Sequence, residues 1–120
     1  MNSDQAMEII KKFTRRRDLN EDEIILMTEA LEYMREIEFS YPPAWYFNIA
    51  HFYDSIGRYE LALKHYKMAI DEGDTVSYMG IADTYRHMHE YKLAYEFYMK
   101  AAEAGFKRAY ERIEEIRPWI

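Results

Sequence analysis

A period of 32 residues runs through the C-terminal two-thirds of this chain and constrains its fold more than any other feature. Shifting the chain by that distance superposes aromatic and small residues: Tyr46 on Tyr78 and Tyr110, Ile49 on Ile81 and Ile113, Ala62 on Ala94, Tyr66 on Tyr98, Ala69 on Ala101, and Gly73 on Gly105. A fixed period of this size is typical of arrays that repeat one supersecondary unit.

Each unit has the pattern of two helices joined by a short turn. The first helix presents apolar residues at i, i+3, i+4 and i+7, which is one helical face. In the clearest unit these are Tyr46, Ile49, Ala50 and Tyr53. The second helix carries Tyr59, Ala62, Tyr66 and Ala69 at similar spacing. Gly57 lies in the turn, and Gly73 follows the second helix as a residue suited to a left-handed helix end.

The composition supports an all-α chain, because only 4 glycines and 3 prolines occur in 120 residues and alternating apolar–polar runs are absent. The N-terminal residues 1–40 are interpreted as a degenerate unit. A helix over 21–39 is predicted to start at a capping box formed by Asn20 and Glu23. A shift of 32 residues places Ala30, Met34 and Ile37 where the next unit has Ala62, Tyr66 and Ala69. A short amphipathic helix with Ala6, Ile9, Ile10 and Phe13 precedes it.

The residues of the clear unit have a recognisable pattern: AWYFNIAHFY at 44–53, GRY at 57–59 and ALKHYKMA at 62–69. This pattern resembles the tetratricopeptide repeat, and the ending KAAEAG at 100–105 is similar to the related Sel-like repeat. The family unit is usually about 34 residues long and ends before a proline. Here the period is 32, Gly73 and Gly105 replace the proline, and His89 occupies the turn position of Gly57.

The resemblance implies an all-α fold, a right-handed superhelical solenoid of about three and a half helix-turn-helix repeats with roughly seven helices. The single domain 1–120 then consists of the degenerate unit 1–40, repeats at 43–74 and 75–106, and a capping helix at 107–117. In such arrays each unit buries its apolar face only against its neighbours. The last helix carries Glu114 where earlier units carry Ala50 and Ala82, so we expect a polar terminal cap and a complete small protein.

The resemblance also implies a protein-interaction module that binds a peptide or partner protein in a concave groove lined by the first helices. By register the lining residues are Phe47, Asn48, His51, Asp54, Met79, Asp83, Arg86, His87, Arg108 and Arg112. Phe47 and Met79 are predicted to form an apolar anchor.

A basic pair, Arg108 and Arg112, resembles the carboxylate clamp by which some family members bind C-terminal tails. The clamp asparagine is missing, because its position is occupied by Gly80 and Asn48 lies one unit too early. The predicted partner segment therefore carries an apolar residue and an acidic or C-terminal carboxylate.

Two other functions remain open from the residues alone. His51 and Asp54 lie one turn apart on one first helix, and Asp83 and His87 do so on the next. Two imidazoles and two carboxylates are a donor set for a divalent metal, as in a small helical metal-binding protein or metal-dependent hydrolase. Self-association is the third possibility, since solenoid ends and tyrosine-rich faces can stack.

Several classes of protein are disfavoured by composition. There is no cysteine, which excludes thiolate metal sites and fits a cytoplasmic, reducing compartment. A net charge of −6 disfavours nucleic acid and anionic membranes, and no run approaches the roughly 20 apolar residues of a membrane span. Phosphate-loop, nucleophile-elbow and zinc-protease motifs are absent, so no enzyme and no cofactor are expected.

The run Arg15-Arg16-Arg17 is interpreted as a solvated loop, although it could contact phosphate or an acidic partner. His65 and His89 are expected at the surface or in turns.

Overall fold

The computed structural model describes residues 1–120 as seven α-helices and a short 3₁₀-helix, with no β-strand. The elements are α1 (Ser3–Phe13), α2 (Glu21–Glu36), α3 (Trp45–Ser55), α4 (Tyr59–Asp71), α5 (Ser77–His87), α6 (Tyr91–Glu103), α7 (Arg108–Ile116) and η1 (Arg117–Trp119). The all-α class and the number of helices predicted from the sequence are confirmed. The chain divides into two compact units, Met1–Pro42 and Pro43–Ile120.

None of these helices combines the length and the apolar character that crossing a bilayer requires.

The first unit is a pair of packed helices whose starts are fixed by local hydrogen bonds. Asn20 and Glu23 form the predicted capping box at α2: the Asn20 side chain accepts from the Glu23 N–H at 2.9 Å, and Glu23 accepts from the Asn20 N–H at 3.1 Å. Asn2 and Gln5 form a second capping box at α1. The buried residues of the two helices are Ala6, Ile10, Phe13, Met27, Ala30, Leu31 and Met34.

The register predicted for α2 is wrong by three residues. Ile37, expected in the interior as the counterpart of Ala69, lies just past the helix end and is 47% exposed. Met34 takes that place, because its carbonyl accepts from the Phe39 N–H at 3.0 Å as the Ala69 carbonyl accepts from Asp74 at 3.0 Å. The physical reason is a longer connection: residues 37–44 separate α2 from α3, whereas residues 72–76 separate α4 from α5. A fixed shift of 32 residues cannot account for connections of different length.

The second unit contains the two helix pairs that the sequence period predicts. The bounds of α5 and α6 are those of α3 and α4 shifted by 32 residues at all four ends. Along the chain, each helix from α3 to α7 packs against the next, and α3 also contacts α5. The alanines at the predicted close approaches are fully buried: Ala62, Ala69, Ala94 and Ala101.

The turn between α5 and α6 has a left-handed residue with a side chain at the position where the preceding unit has glycine. His89 has φ of 61°, and Gly57 has φ of 79° at the equivalent position. A residue with a side chain is disfavoured there by about 1–2 kcal/mol. The left-handed geometry is therefore set by the fold and is kept even where glycine is missing.

The packing of α4 on α5 depends on one glycine. A Cβ atom added to Gly80 would lie 2.5 Å from Cζ and 2.8 Å from Cδ1 of the Tyr66 ring. Tyr66 is only 2% exposed, so its ring fills the space that a larger residue at 80 would need. The ring also makes an edge contact with Phe47, with centroids 5.7 Å apart.

Candidate functional site

The ten predicted groove residues lie on α3, α5 and α7, and they differ in accessibility. His87 and Arg108 are exposed, and Asp54 is buried. The half-buried members are Phe47, Asn48, His51, Met79, Asp83, Arg86 and Arg112. Because α3 contacts α5, the predicted groove residues on these two helices belong to neighbouring surfaces.

Asp54 does not line an open surface. Its side chain is 8% exposed, and its Oδ1 lies 3.0 Å from Nδ1 of His87, whose side chain is 49% exposed. The ring of Tyr59 lies beside this histidine, with centroids 6.2 Å apart. The pair therefore joins α3 to α5 across the boundary between two repeats, with the imidazole covering the carboxylate.

The four residues of the alternative metal site are not brought together. Asp54 and His87 pair with each other, while Asp83 accepts a hydrogen bond of 2.5 Å from the Tyr98 hydroxyl. No group of three or more histidine or carboxylate side chains is positioned to hold a metal ion. The helical spacing that suggested the site puts each pair on one face of its helix but does not fix how the two helices are rotated.

Tyr98 is a buried tyrosine that holds the Asp83 carboxylate in place. It is 0% exposed, and burial raises the pKa of its hydroxyl well above the ordinary value. The hydrogen bond to Asp83 raises the pKa of Tyr98 further, because the carboxylate accepts the proton that ionisation would remove. Tyr98 is thus a permanent donor, and it fixes the orientation of Asp83 on α5.

Arg86, Glu115 and Arg112 form a charged cluster between α5 and α7. Arg86 Nη1 lies 2.6 Å from one oxygen of Glu115, and Arg112 Nη1 lies 3.1 Å from the other. The hydrogen bond from Arg86 lowers the pKa of Glu115, and the same bond raises the pKa of Arg86. One carboxylate thus neutralises part of the charge of two guanidinium groups.

This cluster changes the predicted cationic end of the groove. Arg108 and Arg112 were expected to act as a matched pair, but Arg112 is already bonded to Glu115 while Arg108 makes no ion pair. A ligand carboxylate would find Arg108 available and would compete with Glu115 for Arg112.

The predicted apolar anchor is also partly engaged within the protein. Phe47 packs edge-on against Tyr66, and Met79 packs against the buried cluster that includes Ala82, Tyr98 and Ile113. Both side chains remain half-buried rather than fully covered. They can therefore contribute a contact area that needs little reorganisation.

The two remaining histidines behave differently from each other. His89 lies in the predicted turn, and its Nδ1 is 2.9 Å from the Tyr91 hydroxyl oxygen. His65 was expected at the surface, and that expectation is wrong, because it is 8% exposed and its Nδ1 is 2.8 Å from the Leu61 carbonyl. The centroid of its ring lies 5.3 Å from that of the Tyr53 ring, so His65 packs among aromatic side chains.

Sequence reasoning missed Tyr98 and Glu115 as members of the site. Tyr98 was assigned to the core, which is correct, but its hydroxyl bonds a residue 15 positions earlier. Glu115 lies on the helix that was expected to form a polar cap, but it bonds Arg86 from 29 positions away. No local motif signals either contact, since both depend on how helices are rotated in the fold.

Comparison with known proteins finds no relative: no family model, no curated protein and no solved structure matches the chain.

Proposed function

We propose that this chain is a non-enzymatic protein-interaction module, a tetratricopeptide-like array that binds a short segment of a partner protein along α3, α5 and α7. The observation that carries the proposal is the recurrence of two helix pairs with the same bounds 32 residues apart. Repeated pairs of this kind stack into a superhelical solenoid whose first helices line a continuous surface. A cytoplasmic location fits the absence of cysteine.

The residues on these helices suit a segment with an apolar side chain and a carboxylate. Phe47 and Met79 supply half-buried apolar surface that a partner side chain can cover, and a few such contacts usually carry most of the binding energy of an interface. Arg108 supplies a guanidinium without an ion pair, and a guanidinium can bind a carboxylate through two hydrogen bonds. Arg112 joins it only if the ligand replaces Glu115.

The test begins with peptides selected from a displayed random library on the immobilised chain, followed by calorimetric titration of the best binder. Phe47→Ala and Met79→Ala should each weaken binding by about tenfold or more, as hot-spot truncations do. Arg108→Ala should weaken binding and reduce its salt dependence. Glu115→Gln should strengthen binding of an acidic peptide, because it leaves Arg112 without its partner.

The matched control is Tyr95→Ala, which removes an exposed aromatic from the second helix α6 rather than from a first helix. It should leave the affinity unchanged. We call the surface formed by α3, α5 and α7 the first-helix surface. If the three alanine variants of this surface bind as the unmodified chain does while Tyr95→Ala weakens binding, the first-helix surface is not the binding surface. Circular dichroism of each variant establishes that the helical fold is retained.

A further inference from the structure

The first unit has an open apolar pocket between its two helices. The pocket has a volume of about 490 Å³ and is lined by Glu8, Ile9, Lys11, Lys12, Phe13 and Leu26. Leu26, the lining residue from α2, is 37% exposed, so this apolar side chain borders the pocket without being covered. A second depression, lined by Met1, Asp4 and Gln5, shares Glu8 and Ile9 with the first and extends the apolar surface along α1.

Two lysines that make no ion pair line this pocket, and two arginines without an ion pair follow them in the chain. Lys11 and Lys12 are in the last turn of α1, and Arg15 and Arg17 follow in the connecting loop. None of the four has an ion-pair partner, and all four are exposed. The Lys12 ammonium lies 5.4 Å from the centre of the Phe13 ring, so positive charge stands directly beside the apolar floor.

Arg16, the middle residue of the arginine run, has a different role. It bonds Asp18 at 3.2 Å and Glu23 at 2.7 Å, which ties the loop to the start of α2. This intramolecular role explains one arginine of the run but leaves its two neighbours without a structural partner. The chain as a whole has a net charge of −6, so four unpaired cations within residues 11–17 form a locally positive segment.

We propose that the pocket between α1 and α2 is a second binding site, separate from the first-helix surface, for an acidic segment of a partner protein. One apolar side chain of the segment enters the space between Ile9, Phe13 and Leu26. Carboxylates on either side of it bond the ammonium groups of Lys11 and Lys12 and the guanidinium groups of Arg15 and Arg17. The apolar floor favours a hydrophobic residue, and the two lysines of the lining favour negative charge and outnumber its one carboxylate, Glu8.

An acidic peptide fits this site better than an anionic membrane does. Residues 1–42 carry 6 lysines and arginines against 10 aspartates and glutamates, so the unit as a whole has a charge of −4. A lipid surface interacts with a whole face of the unit, including its acidic residues. A peptide in the pocket is affected mainly by charges within the screening length, about 8 Å at physiological salt.

The experiment titrates the full chain with a fluorescent peptide in which one leucine is flanked on both sides by glutamates. Two further peptides replace the glutamates by glutamine or the leucine by alanine. The test variants are Lys11→Glu with Lys12→Glu, which reverse the rim charge, and Leu26→Ser, which alters the floor. The matched control is Lys64→Glu with Lys67→Glu on α4, which changes the net charge equally at two exposed lysines elsewhere.

The leucine–glutamate peptide should bind saturably, and both altered peptides should bind more weakly. The Lys11/Lys12 double variant should lose about tenfold or more in affinity, as expected for loss of charge-assisted hydrogen bonds, and the Lys64/Lys67 variant should not. Phe47→Ala, which tests the first-helix surface, should leave this affinity unchanged, so that the two proposals can fail separately.

Three results would overturn the proposal: no saturable binding of the peptide, an equal loss in the Lys64/Lys67 control, or an equal affinity for the glutamine peptide. Co-sedimentation with phosphatidylserine vesicles that Lys11→Glu with Lys12→Glu abolishes, in the absence of peptide binding, would instead assign the cations to a membrane surface.

Discussion

Gly80 is a helix-interior glycine that the packing requires. An exposed glycine inside a helix is about 1 kcal/mol less favourable than alanine, so replacement by alanine usually stabilises a helix. At Gly80 the added methyl group would overlap the Tyr66 ring, which is itself buried.

Gly80→Ala should therefore destabilise the protein by about 1–3 kcal/mol, the usual range for overpacking a core. Urea unfolding followed by helical circular dichroism measures the change. In a Tyr66→Leu background, where the ring is gone, the same substitution should lose most of its cost. A stabilising effect of Gly80→Ala in the unmodified chain would show that the two helices do not approach in this way.

Ser77 is a buried residue whose hydroxyl has no partner. It is 0% exposed, and its Oγ makes no hydrogen bond. The equivalent residue of the following unit is Ala109, also 0% exposed. Burying an unpaired hydroxyl is unfavourable, so Ser77→Ala should raise the free energy of unfolding by about 1 kcal/mol.

Thr84 provides the matched control for Ser77. It is equally buried, but its hydroxyl donates to the Gly80 carbonyl at 2.9 Å. Thr84→Val should therefore lower the free energy of unfolding by about 0.5–1.5 kcal/mol, opposite in sign to Ser77→Ala. A destabilising effect of Ser77→Ala in chemical denaturation, of the same sign as that of Thr84→Val, would mean that the hydroxyl of Ser77 does have a partner.

At the scale of elements, the register of α2 is the point where sequence and structure differ most clearly. The fixed repeat shift assigned both Met34 and Ile37 to the interior, whereas in the structure Met34 is buried and Ile37 is 47% exposed. Met34→Ala should lower the free energy of unfolding by about 2–5 kcal/mol, as for other buried truncations. Ile37→Ala should change it by less than about 0.5 kcal/mol, since the side chain is largely exposed.

Thermal and urea unfolding of these two variants decides between the registers. A large effect at Ile37 as well as at Met34 would restore the register predicted from the period.

Features of the elements that are encoded locally could be predicted from the sequence. The capping box at Asn20 and Glu23 involves residues three apart, and the left-handed turn at His89 follows from its alignment with Gly57. The length of the connection after α2 could not be predicted, because Pro42 and Pro43 exclude a helix at the end of the connection but nothing in residues 37–40 marks where α2 stops. Glu38 takes the left-handed conformation there, with φ of 55°, at a position that has glycine after α4 and α6.

At the scale of the whole molecule, the contacts that define the candidate site lie beyond local prediction. The groove residues were assigned to α3, α5 and α7 by register alone, and register fixes only the face of each helix. The pairing of Asp54 with His87 and of Arg86 with Glu115 depends on the rotation of one helix against another. Periodicity therefore predicted the helices and most of the core, but not which charges are already paired.

The pH dependence of stability should reveal the Glu115 cluster. The two guanidinium groups lower the pKa of Glu115 below its ordinary value of 4.5, so the folded state favours the ionised form. This contribution is fully present above that value and is lost as the pH falls through the lowered pKa. Glu115→Gln should thus destabilise the protein at neutral pH, and the difference should vanish in acid.

Thermal melting of both proteins across this pH range measures the effect. Glu103→Gln, which changes an exposed carboxylate without an ion-pair partner, serves as the control and should melt like the unmodified chain at every pH. A difference between Glu115→Gln and the unmodified chain that persists unchanged at the lowest pH would contradict the ionic origin of the effect.

The identical bounds of the two helix pairs have a consequence for how such a gene can change. Tyr66 meets Gly80 at the junction between the pairs, and Tyr98 offers the same ring at the end of the second pair. A tandem duplication of residues 75–106 would therefore join surfaces that already fit each other, because each copy brings its own tyrosine and glycine. The number of pairs, and with it the length of the first-helix surface, can grow in whole steps by copying, without a new interface arising through point substitutions.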